Sequence, residues 1–156
     1  MNHTDSPRWL ALLVLLGCSS TRPTNDGPVS GTFDGAHFDV SGGYAETRDG
    51  VIYVTLANVT ASCTALLQPA PNLQRVDITL PSATQAPGEY ALGSSTTAPH
   101  MAVTSFGSDL HQASRVLESG SVSVTQIDAS QVTGALSVSE NGVVLSGTFS
   151  EPLCSQ

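Results

Sequence analysis

Val132-Thr133-Gly134-Ala135-Leu136-Ser137-Val138-Ser139-Glu140-Asn141-Gly142-Val143-Val144-Leu145-Ser146-Gly147-Thr148-Phe149 is two alternating runs around one turn. Val132, Gly134, Leu136 and Val138 fall on one face, and Thr133, Ala135, Ser137 and Ser139 on the other. Period-two alternation describes a strand with one buried face. Asn-Gly between two such runs is a two-residue hairpin signal, because both turn positions need positive φ. With that loop, Val138 faces Leu145, Leu136 faces Gly147 and Gly134 faces Phe149. An aromatic ring then covers a bare glycine across the strands.

The same design stands at the start of the body. Val29-Ser30-Gly31-Thr32-Phe33 and Ala36-His37-Phe38-Asp39-Val40 flank Asp34-Gly35. This register pairs Phe33 with Ala36, Gly31 with Phe38 and Val29 with Val40. The string Val29 to Phe33 matches Leu145 to Phe149 in kind, but two copies are too few for a repeat array.

Between these hairpins lie further strand signals. Asp49-Gly50 joins Tyr44–Arg48 to Val51–Leu56, with Ile52, Val54 and Leu56 on one face. Ser62–Leu66 reads as another strand, ended by Pro69-Ala70-Pro71-Asn72. Val76, Ile78 and Leu80 alternate inward. Pro81 and Pro87 bracket a loop before Gly88–Leu92, and Gly93–His100 is a polar loop before a strand at Ala102–Phe106. Ser108–Glu118 fits either state: Leu110, Ala113 and Leu117 have helical spacing behind a Ser108 cap, while Arg115-Val116-Leu117 suits a strand. Ser121–Ile127 is a strand. About ten short strands with tight turns predict an all-β antiparallel β-sandwich, with a flattened β-barrel as the alternative.

The amino terminus has a different character. Met1–Arg8 is polar, Trp9–Leu16 is apolar, and Leu15-Leu16-Gly17-Cys18 closes the segment. The apolar run would span about 12 Å as helix, far less than the ~30 Å of a hydrocarbon core. Its three-part pattern is that of a cleaved targeting segment. Leu15, Leu16, Gly17 and Cys18 resemble the lipobox of bacterial lipoproteins. That resemblance implies cleavage before Cys18, a diacylglyceryl group on its thiol, and usually an acyl group on the new amino terminus. Two acyl chains give stable anchoring where one is marginal. The residue after the cysteine is Ser19 rather than the Asp associated with inner-membrane retention, which favours the outer membrane. Gly120–Phe149 also resembles the C-terminal half of uncharacterised β-rich bacterial lipoproteins, which brings no activity to carry over.

The chain thus divides into a signal peptide, 1–17, a lipidated cysteine and tether, 18–28, and one domain, 29–156. The tether Ser19–Pro28 reaches at most about 35 Å when fully extended. Of the three cysteines, Cys18 takes the lipid. Cys63 and Cys154 remain in an oxidising compartment as a disulfide pair, with free thiols or a metal site as alternatives. No Cys-x-x-Cys supports a metal.

Charge bounds the partners. Thirteen acids face five basic residues, for a net charge of −8, and every basic residue is arginine: Arg8, Arg22, Arg48, Arg75 and Arg115. Such a chain has no basic stripe for nucleic acid. The one tryptophan, Trp9, leaves with the signal peptide, which weakens the case for a carbohydrate-stacking platform.

Catalytic signatures are missing. The sequence holds no Gly-x-Ser-x-Gly, His-Glu-x-x-His, EF-hand loop or phosphate-binding glycine loop. His37 and Asp39 share a strand face as two candidate metal ligands, but a site needs three or four, and His100 or His111 would have to fold over. Asp34, Asp49 and Asp128 read as turn residues. The sequence therefore points to no catalysis and no cofactor. It points to an anchored interaction or structural module with the membrane and an envelope protein as partners, the alternative being a small-molecule-binding barrel.

Overall fold

The computed structural model describes residues 27–155. These form β1 (Ser30–Phe33), β2 (Ala36–Asp39), β3 (Gly42–Arg48), β4 (Val51–Ala57), β5 (Gln74–Leu80) and β6 (Gly88–Ala91), then β7 (His100–Phe106), β8 (Gln112–Leu117), β9 (Ser121–Ile127), β10 (Gln131–Glu140) and β11 (Val143–Cys154). A single 3₁₀ turn, Ser82–Thr84, is the one helical element among the described residues. The domain is all-β, as expected.

The strands follow one path, β6-β9-β10-β11-β3-β4-β5-β7-β8, which curls as a half-barrel. The hairpin β1–β2 is added to it through β1 and β11. Pairing is antiparallel at every named pair except β11–β3, which is parallel over Leu153↔Ala45 and Cys154↔Glu46. The long strand β11 makes this possible. Its first part pairs with β1 on one side, its last residues pair with β3, and β10 runs along its other side.

The three two-residue turns have the expected conformation. Both central residues have positive φ at Asp34-Gly35 (47° and 82°), Asp49-Gly50 (51° and 77°) and Asn141-Gly142 (48° and 82°). This twist suits the right-handed twist of the flanking strands. The registers agree with the turns: Gly31 opposes Phe38, Val138 opposes Leu145, Leu136 opposes Gly147 and Gly134 opposes Phe149. At Gly134 the approach is close. A Cβ there would lie 2.7 Å from Phe149 Cζ and would also collide with the Ser123 carbonyl, so only glycine fits this backbone.

One core forms from the inward rows of both halves of the path. Val54, Leu56, Val76, Ile78, Leu80, Met101 and Leu117 come from β4, β5, β7 and β8; Val122, Val132, Leu136, Val143 and Leu145 come from β9, β10 and β11. The first hairpin adds Phe33 and Phe38, stacked with ring centroids 4.8 Å apart. Each such side chain contributes about 1.5–3 kcal/mol when fully buried. A smaller cluster, Ala57, Leu73 and Phe106, is packed by Leu67 and Ala70 of the segment between β4 and β5.

Two segments differ from, or decide between, the local expectations. Ser62–Leu66 is not a strand: it closes on itself through paired backbone hydrogen bonds between Ser62 and Ala65, both 3.1 Å, and finds no neighbouring strand. In Ser108–Glu118 the strand reading holds over Gln112–Leu117 and the helical one fails. Leu110 adopts φ 64°, which no right-handed helix contains, and β7 offers the next residues a full ladder from Met101 to Phe106.

Candidate functional site

The lipobox residues Leu15, Leu16, Gly17 and Cys18 lie outside the described residues. The end of the tether is placed. Thr148 N–H donates to the Gly27 carbonyl at 2.8 Å and Val29 N–H donates to the Thr148 carbonyl at 3.1 Å. The domain is thus entered alongside β11. Among the described residues, no helix is long and apolar enough to cross a membrane.

Cys63 and Cys154 are joined as a disulfide, with Cα atoms 5.2 Å apart across a sequence separation of 91. Cys154 is also a residue of the short parallel joint with β3. The covalent bond therefore sits where the ladder is thinnest.

The histidines are not gathered. His37 Nε2 lies 2.7 Å from Asp39 Oδ2, and both side chains are exposed. His100 opens β7 and His111 precedes β8. Among the described residues, no three His, Cys, Asp or Glu side chains are grouped to hold a metal. Asp34 and Asp49 take the turn roles their sequence suggested. Asp128 does the same: its Oδ1 accepts from Ser130 N–H and Oγ–H at 2.7 Å each, and from Gln131 N–H at 3.0 Å. Those bonds favour the charged form and hold its carboxyl below the usual range.

The structure brings forward a residue that motif reading passes over. Along β11, Val143, Leu145, Gly147, Phe149 and Glu151 are buried in alternation. Glu151 is only 7% exposed, the one carboxylate in an otherwise apolar row. Counting the alternation two residues past Phe149 would have found it. Room for its head group comes from β3. A Cβ at Gly43 would stand 2.6 Å from both Glu151 Cδ and Oε2, so the carboxyl occupies space that any other residue there would take.

Nothing among the described residues donates to this carboxyl or pairs with it. Burial alone acts on it, and pushes its pKa up to about 7. A charge withdrawn from water without a partner is costly, so the neutral form gains. Glu151 lines an open recess of about 450 Å³ together with Pro28, Val40, Thr133, Thr148 and Phe149. A second recess of about 290 Å³ adjoins it, shares Pro28 and Val40, and adds Asp39.

A different carboxylate shows the contrast. Asp77, on β5, is also raised by burial, but Arg75 Nε lies 2.9 Å from its Oδ2 and Thr55 Oγ1 donates to its Oδ1 at 3.0 Å. That group has an ion-pair partner and a hydrogen-bond donor within the sheet. Glu151 has no equivalent. Strongly perturbed titratable groups in clefts mark candidate sites, and among the described residues Glu151 in its recess is such a group.

Compared with known proteins, the chain matches no family model, no curated protein and no solved structure.

Proposed function

We propose that this protein is a lipid-anchored lipoprotein of the bacterial cell envelope whose β-sandwich domain serves as an interaction or structural module. Leu15, Leu16, Gly17 and Cys18, behind a short apolar run, support the anchor. Residues 1–17 are removed, Cys18 carries the lipid, and the tether holds the domain close to the bilayer. Ser19 supports the outer membrane as its address. The disulfide between Cys63 and Cys154 suits an oxidising compartment.

The sandwich reading is supported by two strand groups whose inward rows share one core, and by the path ending at β6 and β8 rather than closing. A closed barrel would pair its terminal strands.

The observation that carries the module reading is the filled interior. Side chains from β1, β2, β4, β5, β7, β8, β9, β10 and β11 meet in one cluster, so contacts are left to the outer surface. Val116 on β8 is 61% exposed and Val144 on β11 is 50% exposed, and both offer apolar area to an envelope protein. The acidic surface suits neither nucleic acid nor anionic headgroups. No catalytic activity is assigned.

Labelling cells that express the full chain with a fatty-acid probe tests the anchor. The wild type is expected to take the label and to sediment with membranes. Cys18→Ser is expected to lose the label and lipoprotein-type processing. A labelled, normally processed Cys18→Ser chain overturns the reading.

A further inference from the structure

The recess beside the entry of the chain has the makings of a cation site. We propose that it binds a small organic cation, an ammonium or guanidinium group on a short apolar body, with Glu151 as counter-ion and Pro28, Val40 and Phe149 as the apolar wall.

Glu151 is buried, lines the recess and has no partner among the described residues. Buried carboxylates are normally paired or hydrogen-bonded, because an isolated one suffers its full desolvation cost. Its head group lies in the space beside Gly43, where the Thr55 carbonyl, 2.5 Å from a Cβ built there, also excludes a side chain.

The described domain holds no arginine to spare. Arg48 meets Glu46 at 2.6 Å, Arg75 meets Asp77 at 2.9 Å and Arg115 meets Asp34 at 3.1 Å. The sequence contains no lysine, and neither recess is lined by arginine or histidine. Among the described residues, none supplies a cation to Glu151. An anion would face this carboxylate, Asp39 next door and a net charge of −8. A neutral apolar ligand would leave the carboxylate unsatisfied. The protein's field draws cations in.

The remaining chemistry fits. The volume lies within the range of small-molecule sites, about 300–1,000 Å³. A bound cation favours the ionised carboxyl, so occupancy pulls the pKa of Glu151 down from about 7. Cation binding in this recess does not depend on the lipid anchor, and the fatty-acid label on Cys18 tests that anchor separately.

The test is an NMR titration of the full chain in detergent at pH 8, with butylamine and butylguanidine as probes and butyrate as the counter-probe. The cations are expected to shift the amides of Val40, Phe149 and Glu151 saturably, and butyrate is not. Glu151→Gln is expected to weaken binding by about tenfold or more, the loss of a charge-assisted hydrogen bond. That variant removes a buried charge and keeps the shape, so the fold is expected to survive, with unchanged amide dispersion elsewhere. Absence of saturable shifts overturns the proposal. So does binding that Glu151→Gln leaves unchanged. Binding that appears only after Arg22→Ala also overturns it, because the recess would then belong to the chain's own tether.

Discussion

Arg115 and Asp34, 81 residues apart in sequence, face each other fork to fork. Nη1 lies 3.1 Å from Oδ1 and Nη2 lies 3.2 Å from Oδ2. The same guanidinium also donates to the Asn141 carbonyl. Arg115 belongs to β8, the end of the strand path, while Asp34 and Asn141 sit in the β1–β2 and β10–β11 turns. One side chain therefore bridges the open end of the half-barrel to two hairpin tips. The opposite seam, β11 to β3, is closed by backbone pairing and a disulfide.

Replacing Arg115 by Ala is expected to cost little global stability, at most about 1 kcal/mol, because the pair is solvent-accessible. Its effect is local. Hydrogen exchange of Gln112–Leu117 and of both hairpin tips is expected to quicken while β4 and β5 stay protected. A uniform increase across the domain would show that Arg115 holds the whole fold rather than one seam.

The pH dependence of stability carries the signature of Glu151. Its folded pKa, about 7, lies above the ordinary glutamate value of 4.5. The folded state thus binds the proton more tightly than the unfolded one. The stability associated with that proton is fully present below about 4.5 and is lost as pH rises through about 7. Thermal stability is expected to fall over that window in the wild type and to change much less in Glu151→Gln. Asp128 and Glu140 act in the opposite sense at lower pH. Glu140 accepts from Glu118 N–H and Ser119 N–H at 2.8 Å each, which lowers its pKa, so its contribution is lost on acidification. A wild-type curve rising from about pH 5 to about pH 7.5 would contradict this assignment of Glu151.

Removing the disulfide should be far more costly. The bond spans 91 residues, and closing a loop of that size is worth about 4–5 kcal/mol in chain entropy. Cys63→Ser with Cys154→Ser is expected to lower the urea midpoint markedly and to release the last residues of β11 from β3 first. An unchanged midpoint would mean that the parallel joint needs no covalent support.

Much of this architecture is legible from local sequence. Asp34-Gly35, Asp49-Gly50 and Asn141-Gly142 set their hairpins because positive φ at both turn positions is tolerated there and because that twist matches the strands. Alternation then decides which residues point inward, so the facing of Gly31 with Phe38 and of Gly134 with Phe149 can be counted out along the chain. Such relations depend on a few neighbouring residues and on backbone sterics.

Other features depend on what the rest of the chain does. Ser108–Glu118 carries signals for two states, and the free edge of β7 decides for a strand. Ser62–Leu66 has strand-like residues but no edge to join. The parallel joint of β11 with β3 has no local signal, since it arises when the curled sheet brings distant strands together. Glu151 is an acid near the end of the chain until Gly43, Pro28, Val40 and Phe149 assemble around it. Strand identity and turn register follow from bonded geometry and side-chain period, and the sequence by itself determines them. Which edges meet, and which charge loses its water, are decided by packing over long sequence separations, and only the tertiary structure determines those.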